Sequence, residues 1–218
     1  MKIKSSEVEI EMFLALFGAV ESGFIYAIMA IGVYLTFRIL DFPDLTVDGS
    51  FVTGGAVTAI SIINGVPPLL ATLLGAFAGF LAGCITGILH TKGKINALLS
   101  GILMMIALYS INLRIMGKPN LSLSRESTLK KQFVEIWEKT GIDGIINNLF
   151  ASMGVDRLPT TWGILFIMIV FIIMMKLMID YFLKTEIGLG LRATGNNKVM
   201  SRSFSANTDT LIIIGLGI

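Results

Sequence analysis

The chain has 218 residues, of which 54% are hydrophobic and 15% charged, and 17 Lys and Arg against 15 Asp and Glu leave a net charge of +2. A soluble domain carries roughly 25% charged residues, and with a mean hydropathy of +0.81 lipid is the expected solvent; the charge is too small for a nucleic-acid partner. The single Cys84 and the single His90 exclude a disulfide framework and a cysteine or multi-histidine metal site.

In chain order, Lys2 and Lys4 are followed by Glu7, Glu9 and Glu11, and no small-residue cleavage site follows the first apolar run, so no cleavable signal is expected. Residues 12–37 form the first predicted span and 50–63 a second, short one. Val66-Pro67-Pro68 opens a third span over 68–89, the paired prolines suiting a helix start. Within it Gly75, Gly79, Gly83 and Gly87 fall four apart and make one smooth face for close helix packing. The fourth span covers 95–113.

The polar section 114–160 has Phe133, Ile136, Trp137, Ile142, Ile145, Ile146, Leu149 and Phe150 at helical spacing among its charges. It reads as one or two amphipathic helices on the membrane surface. The fifth span, 161–183, is bracketed by Trp162 and Tyr181 as interfacial anchors. Residues 184–208 are polar and basic, and a sixth span starts near Asp209. The fold class expected is all-α: a polytopic membrane helix bundle with discontinuous helices, about five full spans and the start of a sixth. The runs are too long and continuous for barrel strands. Leu211–Ile218 is apolar to its last residue and about half a span long, so the chain is expected to be a piece of a longer protein with further helices.

The short loop 90–94 and the segment carrying Lys184, Arg192, Lys198 and Arg202 are both basic and lie an even number of spans apart, which places both in the cytoplasm. Section 114–160 then lies outside, although it holds seven basic residues.

Polar residues within the spans are the candidate functional groups. Glu21 lies inside the first span, where a carboxylate faces a bundle interior as a proton or substrate contact, is held neutral by a neighbouring helix, or snorkels to the surface. Between the first two spans, Pro43 disfavours helix at Phe42 and frees backbone groups, while Asp41, Asp44, Thr46, Asp48 and Gly49 surround the break. Thr46 or Asp48 can start the next helix. A half-helix N-terminus at membrane depth attracts an anionic substrate group; the other reading is a capped loop at the surface. Asn96 and Ser100 lie on one side of the fourth helix, lining a pathway or bonding between helices. In 188–208, Gly195-Asn196-Asn197 can end one turn and start a short helix with Val199, Met200 and Phe204 on its apolar face, a docking element for another protein or a plain connection.

Two segments carry a family resemblance. Residues 23–55, with Phe42-Pro-Asp-Leu-Thr-Val-Asp-Gly-Ser50, resemble the first helices of the branched-chain amino-acid type of ABC-importer permease. Gly190-Leu-Arg-Ala-Thr-Gly-Asn-Asn-Lys198 with Asn207-Thr-Asp209 resembles that family's ATPase-contacting loop. Residues 95–117 are similar to a subgroup associated with tryptophan and tyrosine binding proteins. The resemblance implies a permease homodimer in the bacterial plasma membrane, ABC ATPase subunits and an extracellular substrate-binding lipoprotein. No cofactor is expected on this chain, since ATP is used by the partner and no phosphate-loop motif is present. It further implies a substrate path along Glu21, Asp41, Asp44, Thr46, Asp48, Gly49, Asn96 and Ser100. ATPase coupling falls to Gly188, Arg192, Gly195, Asn196, Asn197, Arg202 and Asn207, at the opposite, motor end of the machine. Section 114–160 would face the binding protein. The competing reading is a proton-coupled secondary transporter using Glu21, Asp41, Asp44 and Asp48; an intramembrane enzyme lacks a nucleophile–base pair.

Overall fold

The computed structural model describes the backbone of residues 2–144, 147, 162–203 and 207–218, with the side chains of Met12 and of these residues from 15 onward. Every regular element among them is helical. Helix α1 (Lys2–Tyr34) runs into a single π-helical turn (Leu35–Ile39), and after a non-helical break come α2 (Val47–Ile63), α3 (Pro68–Thr91) and α4 (Ala97–Met116). Then follow α5 (Leu129–Glu138), α6 (Gly163–Phe182), α7 (Glu186–Asn196), α8 (Lys198–Ser203) and α9 (Thr208–Gly217).

Among the described residues, four stretches are long and apolar enough to cross a bilayer: Ala15–Ile39, Pro68–Thr91, Ala97–Met116 and Gly163–Phe182. Helix α2 is shorter, at 17 residues, and α9 at 10 is shorter still. The predicted span 50–63 therefore exists but begins three residues earlier and stays below full crossing length. The expected basic loop 184–208 is largely helical, because Thr185 caps α7 by accepting from Gly188 N–H and Asn197 caps α8 by accepting from Met200 N–H. Ile145, Ile146, Leu149, Phe150 and Phe204, placed by periodicity on amphipathic helices, lie outside the described residues.

The chain divides into two compact units. The first holds residues 1–28 and 128–175. There Trp137 of α5 lies directly against Gly163 and stacks at a tilt on Phe166, 5.2 Å between centroids. The indole of Trp137 donates to Asp143 at 2.8 Å, and that of Trp162 to Asn147 at 3.0 Å. Of the two expected interfacial anchors, Trp162 spends its indole N–H on Asn147 and Tyr181 is exposed.

The second unit, residues 29–127 and 176–218, is organised by α3. Its glycine face serves two partners. Helix α2 lies on the first half, with Gly54 O at 2.5 Å from where a Cβ of Gly75 would sit and Ser50 O at 3.4 Å from that of Gly79. Helix α9 lies on the second half, with Leu216 O against Gly83 and Ile213 Cα at 2.7 Å from a Cβ of Gly87. Backbones approach this closely only where no side chain intervenes, which in lipid is what gives helices contact energy. Thr58 bridges α2 to α3 by sharing its hydroxyl between Gly54 O and Ala71 O, at 2.8 and 3.2 Å. Two apolar clusters complete the unit: Ala82, Met104 and Leu108 between α3 and α4, and Leu40, Phe42, Leu191, Ile212 and Leu216 around α7 and α9.

Candidate functional site: the break before α2

The π turn closes with Leu40 N–H donating to Leu35 O at 3.0 Å. Such a turn holds an extra residue and is common where a helix must change direction at a working position. Asp41 then takes a left-handed φ of 52°, a conformation that Asp tolerates better than most residues. Phe42 N–H reaches back to Thr36 O at 2.9 Å, and Pro43, with no N–H to satisfy, follows.

Asp44 and Thr46 are both buried. Asp44 Oδ1 accepts from Thr46 N–H at 2.8 Å and from Thr46 Oγ1 at 2.5 Å, a side-chain turn that replaces a backbone one. Thr46 is therefore the N-cap of α2 by position, but its hydroxyl is turned to Asp44 and makes no capping bond. Thr86 of α3 lies 3.4 Å from the Thr46 hydroxyl and also donates to Ala82 O at 3.2 Å. Asp41 and Asp48 are exposed. Asp44→Asn keeps the Oδ1 acceptor and should leave thermal stability near wild type. Asp44→Ala strands the buried Thr46 groups and should cost about 1–3 kcal/mol, read as a lower unfolding temperature in detergent. Equal loss in both variants would show that charge, not turn geometry, matters.

The depth of the break follows from its neighbours. Gly101, four residues into α4, has Leu45 N at 3.2 Å from its Cβ position. Thr86 lies five residues before the end of α3. At 1.5 Å per residue, the break sits roughly 6–8 Å inside the ends of those helices. Ser50 meets Gly79 at the centre of α3, so α2 begins well within the bundle. The break thus lies between α3 and α4, inside their ends. Among the other expected path residues, Gly49 packs on Leu108. Asn96 caps α4 by accepting from Leu98 N–H at 3.0 Å. Ser100 is fully buried and donates to Ala97 O at 2.8 Å. Glu21 belongs to the first unit, where Lys130 of α5 is its ion-pair partner.

The basic segment lies beside the break, not opposite it. Gly195 of α7 rests against Ile39 O, with Leu40 C at 2.9 Å from its Cβ position, and Leu191 joins Leu40 and Phe42 in one cluster. The two-ended arrangement expected from sequence is replaced by contact, because Gly195 has no side chain to keep α7 off the backbone of Ile39 and Leu40. Gly188 packs against Phe182 O and the Leu183 backbone at the α6–α7 corner. Arg192, Asn196 and Asn197 are exposed. Arg202 donates to Thr208 Oγ1 at 2.8 Å and to Asp209 at 2.7 Å, and Asn207 caps α9 through Thr210 N–H. Helix α8 presents Val199 and Met200 outward, 77% and 57% exposed.

Two participants escaped the sequence reading. Asn112 of α4 is buried and donates to Gly49 O at 3.3 Å, while its Oδ1 has no partner among the described residues. A lone amide inside an apolar run was signal enough, by the reasoning applied to Glu21. Thr86 sits one residue from Gly87 on the packing face and could have been found the same way. Among the described residues no group of His, Cys, Asp and Glu could hold a metal ion.

Apolar helices of spanning length and glycine-mediated backbone contacts define a multi-pass membrane protein of all-α class. Residues 15–218 match the family described as "Branched-chain amino acid transport system / permease component", and the chain belongs to it. A protein named tyrosine transport system permease protein, from Clostridioides difficile (strain R20291), is 41% identical over 192 residues, 88% of this chain and 56% of that protein. An uncharacterized protein of Rickettsia prowazekii (strain Madrid E) is 32% identical over 201 residues, 92% of this chain and 61% of its own length. The chain thus spans somewhat over half the length of these curated relatives. No solved structure matches it.

Proposed function

We propose that the chain is part of the membrane-spanning permease subunit of an ATP-driven importer for amino acids, aromatic or branched-chain, in the bacterial plasma membrane. The name of the Clostridioides difficile relative supports an aromatic substrate, tyrosine in particular. The observation that carries the reading is the juxtaposition of two elements. Helix α7, which leads into the outward-facing α8, is packed directly on a break that feeds the N-terminus of α2 inside the bundle. A machine driven by a separate motor needs such a handle next to such a path.

In this reading Arg192, Asn196, Asn197, Val199 and Met200 meet an ABC ATPase subunit, which binds and hydrolyses the ATP. Arg202 and Asn207 hold α8 and α9 in place. Substrate moves past Asp48 and Gly49 at the start of α2, where free N–H groups favour an anionic group; Asp44 and Thr46 shape that turn. Two permease subunits form the path, and an extracellular lipoprotein delivers substrate on the side of residues 114–160.

The test is uptake by the full-length protein in proteoliposomes with its ATPase and binding protein. Tyrosine, tryptophan and leucine uptake is measured with and without ATP. ATP-dependent uptake is expected. Uptake driven by a pH gradient with the ATPase left out would instead establish the secondary-transport reading.

A further inference from the structure

We propose that Asn112 is a substrate contact that selects aromatic side chains carrying a hydrogen-bond donor, a phenol or an indole, over phenylalanine and aliphatic side chains; this rests on the permease reading above and narrows it. Asn112 lies four residues before the end of α4, on the buried stripe it shares with Ser100, Met104 and Leu108. It is 3% exposed. One half of its amide is spent, since Nδ2 donates to Gly49 O at 3.3 Å. Thr53 Oγ1 donates to the same carbonyl at 2.8 Å. The other half, Oδ1, is buried without a partner among the described residues. A buried acceptor left empty is costly, and within a bilayer no bulk water replaces the missing donor. An orphan of this kind calls for a bound partner or a function.

The surroundings choose the donor. Leu108, one turn before Asn112, has Cδ1 and Cβ at 3.1 and 3.3 Å from the Cβ position of Gly49, and it forms an apolar cluster with Ala82 and Met104. An ammonium group brought here would exchange its hydration for one neutral oxygen, at high cost. A phenol or indole suits the place better, because the ring meets apolar walls and its single donor meets the single acceptor. Leucine or phenylalanine fits the walls but leaves Oδ1 empty, and an unmet polar group is what makes a site reject an analogue.

The amide is also placed to reach a side chain. Gly49 belongs to the first turn of α2, where Asp48 is exposed. A substrate with its charged end at that turn carries its side chain along the seam between α2 and α4, toward Asn112. The seam is closed here by Leu108 on Gly49. Non-helical residues, not a continuous helix, precede α2, so this end of α2 is free to part from α4, and the Asn112–Gly49 bond is long enough to be given up easily.

The experiment compares Asn112→Thr with Asn112→Val. The two side chains have the same shape, and both lose the amide bond to Gly49. The threonine hydroxyl donates to the carbonyl of Leu108 in its own helix and keeps an acceptor on the seam; valine has none. Full-length variants are assembled in proteoliposomes with the ATPase and binding protein, and tyrosine and phenylalanine uptake is measured for each. Tyrosine uptake should be about tenfold or more lower in the valine variant than in the threonine variant, with phenylalanine uptake the same in both. The binding protein is common to both variants, so its own preference cancels. Equal tyrosine uptake in the two variants overturns the contact and leaves Asn112 a bond between helices.

A second measurement uses the unaltered protein. Uptake of tyrosine and of O-methyltyrosine, which keeps the ring and loses the donor, is divided by the fraction of binding protein each one loads. Tyrosine should be faster by about tenfold or more; equal rates overturn the proposal. Absence of ATP-dependent uptake of any amino acid by the unaltered protein would remove the permease reading, and this contact with it.

Discussion

Gly83→Leu is expected to abolish accumulation of folded protein. The Cβ position of Gly83 lies directly against Leu216 O, with Gly217 Cα at 2.9 Å, so any side chain must push two helix backbones apart. Overpacking a fitted interface costs about 1–3 kcal/mol even where side chains can adjust, and a backbone carbonyl cannot rotate away. Against a total stability of about 5–15 kcal/mol the loss is severe. Opening this seam also strips α9 of its seat, because Ile213 Cα meets the Cβ position of Gly87 on the same face. The measurement is the monodisperse fraction on size exclusion after detergent extraction. Gly55→Leu is the control, since nothing lies within 4 Å of that glycine. Equal recovery of the two variants would show that the α3–α9 seam does not hold the fold.

The second large effect is expected from Val199→Asp combined with Met200→Asp. Both side chains are exposed on α8 and touch little of their own chain, so insertion and stability should be unchanged. At a protein interface, however, outward apolar residues of this kind become the buried anchors. Each such anchor is worth about 2 kcal/mol, and together they should weaken ATPase binding by more than about a hundredfold. Co-purification of the ATPase with the full-length variant is the readout, and full retention would exclude α8 as the docking element. Arg192→Glu should act more gently, through association rate and salt dependence, as rim charges do. Arg202→Glu would mislead, since its bonds to Thr208 and Asp209, with the Lys198–Asp209 pair, link α8 to α9.

Much of this was legible in the sequence because lipid simplifies the physics. Continuous apolar runs gave the spans, and the four-residue glycine spacing of 75, 79, 83 and 87 gave a packing face, since small residues are what let membrane helices approach. What the spacing did not carry was the identity of the partners, because Gly75 and Gly83 belong to one stripe yet meet different helices. The break was visible through Pro43 and its aspartates. Their division of labour was not: Asp44 and Asp48 are chemically alike, and only burial separates the turn-former from the exposed residue. Glu21 was noticed for its charge, but its partner Lys130 lies more than a hundred residues on, beyond any local pattern. The meeting of break and basic segment was missed for a similar reason. It depends on Gly195 and Ile39, and the absence of a side chain leaves no periodic trace.

The shared face of α3 also has a consequence for biogenesis. Its first half can be covered at once, because α2 precedes it in the chain. Its second half must wait for α9, roughly 125 residues later by the spacing of Gly87 and Ile213, and contacts of such sequence separation form late. During synthesis α3 therefore enters the bilayer with a smooth strip around Gly83 and Gly87 open to lipid. A leucine there would pass through every earlier step unnoticed and fail only when α9 arrives, so nascent chains stalled before and after α9 should differ in their protease resistance.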